Sequence, residues 1–491
     1  MDLSRRQFLV GVGATALVAG LDLSAPPPAR AEAGLSDPAL HLLNRISYGV
    51  RPADLRRAQS LGLTAYLDEQ LAPERLRDPA LKKEMARFRV LDLSRPQLEH
   101  LENGYDKARR ALIAGMVTRA VFARAQLLER MVEFWSDHFN VASDGVELDY
   151  VIFQREAIRK NALGRFSDLL LATAQSPAML YYLDNFLNVA EAPNENYARE
   201  VMELHTLGVD GGYTEEDIRN VARALTGWTV EDKGNLNFYF HLPTHDTGPK
   251  RVLGVDLPAF RGIEDGLDVL RILAEHPSTA HFVCRKLCVR FVSDRPPDSL
   301  VDALTAIWIS TGGQIKPVLR QLFLSPEFAA SEGQKLRRGL DFAIGAMRAA
   351  GTIVHDFYEL ESMLDGLAQL PYNWHPPNGY PDVSPAWINT GALLSRWNAA
   401  FALTDGALHD RKGASTDLLR QIGKPRTVDA LVTAVSSWVY GQPLTGDART
   451  PFVTFASDGL GGATVVTRER LNRKAGALYG LMLASPMYQW R

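Results

Sequence analysis

The sequence predicts a mostly α protein: one large multi-helix domain with a small two-stranded β excursion. Three observations carry that prediction. Apolar residues recur at helical spacing along most of the chain, as in Ile218, Val221, Ala222 and Leu225. Cap and stop residues bracket these runs, including Ser-Pro pairs at Ser176-Pro177, Ser325-Pro326 and Ser485-Pro486, where proline in a first helical turn loses no hydrogen bond. Only one stretch, from Asn237 to Val255, reads as extended chain. With 491 residues, 46% hydrophobic and 23% charged, there is room for a large core. A formal net charge of -3 gives no electrostatic case for nucleic acid or an anionic membrane as partner.

Taken in order, the chain opens with Ser4-Arg5-Arg6-Gln7-Phe8-Leu9, an apolar run from Val10 to Leu21 and Ala29-Arg30-Ala31. This is the pattern of a twin-arginine signal peptide over 1–31, so export to the periplasm or beyond is expected. The run falls short of the roughly 20 apolar residues of a spanning helix, and no later segment qualifies, so no integral membrane segment is expected after signal removal. Residues 32–491 read as one helical domain, with a C-terminal helical part from about residue 370 as a separable piece.

Ser36-Asp37-Pro38 caps a helix through Leu40, Leu43 and Ile46. The longest helical pattern runs from Lys107 to Phe139, and others cover Leu148 to Lys160 and Phe166 to Thr173. A helix from Asn194 or Asn196 to Leu207, stopped by Gly208, and a second opening at Thr214 form a hairpin. The segments Asn237–His241 and Arg251–Val255 then read as the two paired strands. Helices resume from Gly266 to Leu324, with breaks, and continue over Leu336 to Ala350 and Leu360 to Leu367. A proline-rich aromatic loop from Pro371 to Asp382 precedes helices to Trp397, near Thr416 to Ile422, over Val428 to Tyr440 and over Arg468 to Leu483. The only cysteines, Cys284 and Cys288, lie four apart on one helix, too few for a thiolate metal site and badly placed for a disulfide, so buried free thiols are expected.

Polar groups crowd Asn194 to Trp228 beyond what solubility requires. Glu200 and Glu203 share a helix face and, with histidines from elsewhere, are the parts of a helical metal site. His138 and His245, each beside an aspartate (Asp137, Asp246), are the histidines expected to complete it. Thus Glu200, Glu203, His138 and His245 are expected as ligands of a divalent metal, with Glu200, Glu203 and His138 as catalytic groups. Asn194, Asn196, Tyr197, Arg199, His245, Asp246 and Trp228 are the expected binding residues. The plain alternative is an Arg199–Glu203 ion pair worth a few tenths of a kcal/mol. His205, two residues beyond Glu203 and about 200° round the helix, cannot join both glutamates. No nucleophile elbow or P-loop occurs in the mature region.

These motifs carry a resemblance. Tyr182-Leu183-Asp184, the run from Asn194 to Gly208, Leu225-Thr226-Gly227-Trp228, His245-Asp246, and Pro377-Asn378-Gly379-Tyr380 with Trp387 are similar, nearly end to end with the chain, to the bacterial family known as a domain of unknown function, number eighteen hundred. Ser136 and Asp137 stand where many members have a histidine and an asparagine. The resemblance implies a mostly helical exported protein, often encoded beside a sulfatase-like partner, and brings no established reaction. Two functions are therefore expected: a metal- or cofactor-dependent hydrolase of the cell envelope or, as the alternative, a non-catalytic binding or assembly module working with an exported partner.

Overall fold

Short helices dominate the computed structural model, which describes residues 37–231, 236–351, 353–408, 419 and 421–491. The expected leader, and most of the helix expected near Thr416 to Ile422, lie outside the described residues. The mostly α class holds, and the sheets are two antiparallel pairs. The described residues form two compact units: one from within 37–66, 331–369 and 382–491, the other from within 67–330 and 370–381.

In the first unit, Asp37 caps the helix Pro38–Ile46 through its side chain, accepting from the Ala39 N–H at 2.9 Å. The helices Thr390–Leu408 and Arg468–Ala484 pack side by side, with Gly480 against the Phe401 ring. Buried arginines tie this unit together. Arg337 donates to the carbonyls of Tyr488 and Tyr48 at 2.9 and 3.1 Å, Arg348 donates to the Gly49 carbonyl at 2.8 Å, and Arg491 pairs with Asp341 at 2.8 Å. The chain end is zipped onto 335–337 by backbone hydrogen bonds.

The second unit holds the segments singled out for chemistry. The helix expected from Lys107 to Phe139 is two, Gly104–Phe122 and Gln126–His138, because Ala123 turns extended. Gln126 makes the break tolerable by donating to the carbonyls of Ala120 and Ala123 at 3.0 and 2.8 Å. The helix Glu147–Ile152 continues as a π-helical stretch, Phe153–Arg159. All three Ser-Pro pairs open helices, at Pro177, Pro326 and Pro486. Cys284 and Cys288 are buried free thiols.

The strands differ from expectation. β1 (Trp228–Val230) pairs with β2 (Phe238–Phe240), and β3 (Lys250–Val252) pairs with β4 (Val255–Leu257). The two expected strands thus each take a nearer partner. The reason for the second pair is a two-residue turn with positive φ at both Leu253 (49°) and Gly254 (80°), the type I′ pattern that suits strand twist. Leucine is a poor residue for the first position. The Leu253 N–H is held by Asp217 Oδ1 at 2.7 Å.

Gly266 sits inside the helix Ile263–Glu275, where a Cβ would lie 2.5 Å from the buried Trp228 ring. Helix propensity alone gives Gly266→Ala a gain of about 1 kcal/mol. The clash reverses the sign, and we expect a net loss of about 1–3 kcal/mol in chemical denaturation. A stabilised variant would mean that the ring moves aside freely.

Candidate functional site

The central hairpin forms, with shorter helices than its pattern suggests. Asn194 Oδ1 accepts from the Asn196 N–H at 2.9 Å, and the helix runs Asn196–Glu203. Beyond it, the His205 N–H reaches back to the Glu200 carbonyl at 3.1 Å and the Thr206 hydroxyl to the Val201 carbonyl at 2.6 Å. The turn that results takes His205 out of helical phase, and Gly208 (φ 83°) ends it. Thr214 and Asp217 form a reciprocal cap on the next helix, Glu215–Ala224.

Arg199 sits at the centre of the charged face. Its guanidinium holds Glu215 at 2.7 and 3.0 Å, Glu195 at 3.4 Å and Glu203 at 3.5 Å. The Glu203 charge also helps push the nearby Tyr213 hydroxyl up to about 12, after burial. The ion pair set against a metal site is therefore present and extended to three carboxylates. Glu200 is different. It is half-buried, and among the described residues its carboxylate receives no hydrogen bond. Burial, then the Glu203 charge, pushes its carboxyl above the usual range against the pull of Arg199. Its charge reaches Tyr182, whose hydroxyl is pushed up to about 12, chiefly by burial. That hydroxyl donates to the His375 carbonyl of the aromatic loop. Asn140 fastens the same loop, donating to the Trp374 and Pro376 carbonyls, both at 2.8 Å.

The histidines lie elsewhere. His138 is buried against Phe134, Trp135, Phe139 and Phe166, and its Nε2 donates to the His205 carbonyl at 3.0 Å. The two imidazoles stand 6.2 Å apart. His138 Nδ1 and both His205 nitrogens have no hydrogen-bond partner among the described residues. Burial, reinforced by Lys286, pushes His138 well below the usual histidine range and His205 down to about 3. His245 belongs to another buried cluster. Its Nδ1 bonds the Thr226 carbonyl at 2.9 Å and its Nε2 lies 3.3 Å from Asp265 Oδ2, which Lys250 also holds at 2.7 Å. The remaining Lys250 donors go to the carbonyls of Asp246 and Gly248. Asp246 takes a two-pronged bond from Arg223 at 2.7 and 3.2 Å.

The side chains expected as metal ligands are not brought together among the described residues. Glu203 is paired with Arg199, while His138 is enclosed by aromatics and His245 by Asp265 and Thr226. Among the described residues no group of three or more His, Cys, Asp or Glu side chains is placed to hold a metal ion. Of the expected binding residues, Tyr197 and Trp228 are core side chains. Asp265 and Lys250 were missed. Lys250 stands one residue before the expected strand Arg251–Val255, and Asp265 comes from a helix start whose acid reads as a solvated first-turn residue.

The family model described as "Protein of unknown function (DUF1800)" matches residues 41–490. The chain belongs to this family. The resemblance is borne out over nearly its whole length, and the DUF1800 description brings no reaction to the site. No curated protein and no solved structure matches the chain.

Two neutral histidines in the DUF1800 core have a definite consequence for stability. In the unfolded chain they take up protons below about pH 6.5, and the folded state resists doing so. The unfolded form then binds more protons, so stability falls as pH drops below 6.5, by about 2 kcal/mol per histidine between pH 6.5 and 5. Urea denaturation at pH 7, 6 and 5 should show this slope, and His205→Gln should remove about one proton of it. A slope unchanged in the variant would mean that His205 titrates normally.

Proposed function

We propose that this DUF1800 protein is an exported, non-catalytic binding module of the cell envelope that works beside an exported partner. The observation that supports the reading is the use of its polar groups: Glu203, His138 and His245, the side chains best suited to chemistry, are committed to partners within the fold. The charge-dense hairpin then acts as a braced surface element. The partner implied by the resemblance is sulfatase-like, and the twin-arginine pattern at Ser4 to Leu9 supports the route of export.

A second reading, acid–base chemistry at Glu200, is favoured by one observation: that carboxyl alone of the glutamates on its helix lacks a partner, and burial raises its pKa beside the Tyr182 hydroxyl.

Elemental analysis of dialysed protein, with Glu200→Ala alongside, decides the main question. The binding-module reading expects metal well below stoichiometric in both proteins. Stoichiometric metal that disappears from a still-folded Glu200→Ala would restore the metal-dependent hydrolase. Sedimentation of the chain with the purified sulfatase-like protein tests the partner, for which a joint boundary is expected and two independent boundaries would remove it. Replacing Arg5 and Arg6 together by lysine should hold the precursor in the cytoplasmic fraction, and unimpaired export of that variant would sink the twin-arginine route.

A further inference from the structure

A cleft of about 540 Å³ opens in the second unit, walled by residues from 73–164 and by Lys316, and by none of the residues of the hairpin or its strands. The volume falls in the range of small-molecule sites. Its apolar wall includes Leu76, Leu81, Leu128 and Leu163.

The charges on the wall do not balance once their bonds are traced. Asp78 is occupied at both oxygens, accepting from the Leu81 N–H at 3.0 Å and the Arg124 N–H at 2.8 Å. Glu129 is gripped at both oxygens by Arg159, at 2.9 and 2.6 Å. Glu74 faces Lys316 at 3.9 Å on the exposed side. Lys160 on the same wall is exposed to solvent, and among the buried charges Arg119 is left over. Its side chain is largely buried, yet among the described residues its guanidinium makes no hydrogen bond and no ion pair, and it lines the cleft. Burial, then the Arg159 charge, pushes it down to about 10, and Glu129 offsets only part of this. A planar fork of donors held beside a second arginine, in a space with leucine walls, is complementary to an anion that carries an apolar body.

We propose that this cleft binds an organic carboxylate with an apolar chain, its carboxylate received by the Arg119 guanidinium and its chain laid along Leu76, Leu81, Leu128 and Leu163. The arginine supplies charge and orientation, and the leucines exclude water. A bare inorganic anion would leave most of the cleft unfilled, and an uncharged chain would leave Arg119 without a partner.

The test uses the full mature chain and decanoate as probe in isothermal titration calorimetry, with decanol and inorganic phosphate as the two halves of the ligand. Decanoate should bind, decanol and phosphate at least about ten-fold more weakly, and Arg119→Gln should weaken decanoate by a similar factor with an unchanged circular dichroism melt. Ala125→Phe, which fills the cleft and leaves the guanidinium in place, should also abolish binding, so the proposal stays decidable if Arg119→Gln is unstable. No decanoate binding by the native chain, decanol binding as tightly as decanoate, or binding untouched by the variants overturns it. None of these outcomes depends on metal content or on the partner protein.

Discussion

Helix breaks and buried loops inside this protein leave carbonyls that no helix or strand N–H reaches, and the fold depends on side chains that donate to them. Short helices make the demand acute, since each end exposes up to four such groups. The responses recur in both units. In one, Arg337 and Arg348 reach the carbonyls of Tyr488, Tyr48 and Gly49. In the other, Gln126 bridges Ala120 and Ala123, Asn140 takes Trp374 and Pro376, Asn185 takes Trp228 at 3.0 Å, and Asn188 takes Ala222 at 2.9 Å. A buried carbonyl left bare costs about 1–3 kcal/mol, so these side chains are as necessary as the apolar core.

That demand explains why the most polar part of the chain is so easily taken for an active site. Asn188 Oδ1 accepts from the Asn194 N–H at 2.9 Å, and Asn194 passes the turn on to Asn196. Lys250 binds two carbonyls and Asp265 together, fastening the connection between β2 and β3 to the helix Ile263–Glu275. Asparagine, lysine, aspartate and histidine are the vocabulary of catalysis and equally that of a loop that must be buried. What separates the uses is whether a group retains an unfilled valence facing space. Glu203 and His245 do not, whereas Glu200 does.

Legibility in the sequence followed the range of the interaction. Caps depend on residues three or four apart, so Asp37, Thr214 and the three Ser-Pro pairs were readable, as was Val428–Tyr440 to the residue. Strand pairing was not. Leu253 takes a positive φ that its side chain disfavours because Asp217, far back in the sequence, holds its N–H. The break after Phe122 is equally silent, for no glycine or proline marks it and the compensating donor, Gln126, resembles any helical glutamine. At the site, the Arg199–Glu203 pair was readable from its spacing. Glu215 as its third acid became visible only when the hairpin closed.

Arg119 and Arg199 show the limit of such reading in one residue type. Both lie on helices, but only Arg199 has acids a turn away, Glu195 and Glu203, whereas the one acid on the helix of Arg119 is the distant Asp106. Arg199 gathers three carboxylates on a half-exposed face, where screening by water keeps each pair weak. Arg119 lies deeper, where a partner is worth more, but Glu129 is already held at both oxygens by Arg159 from the π-helical stretch. Extra residues in the π turn alter which side chains face the neighbouring helix, so this irregular stretch also bears on which arginine is paired. A polar functional site in this protein is therefore to be sought where the internal hydrogen-bonding demand has been met and a charge remains, a condition that Glu200 meets on the hairpin and Arg119 meets in the leucine-walled cleft.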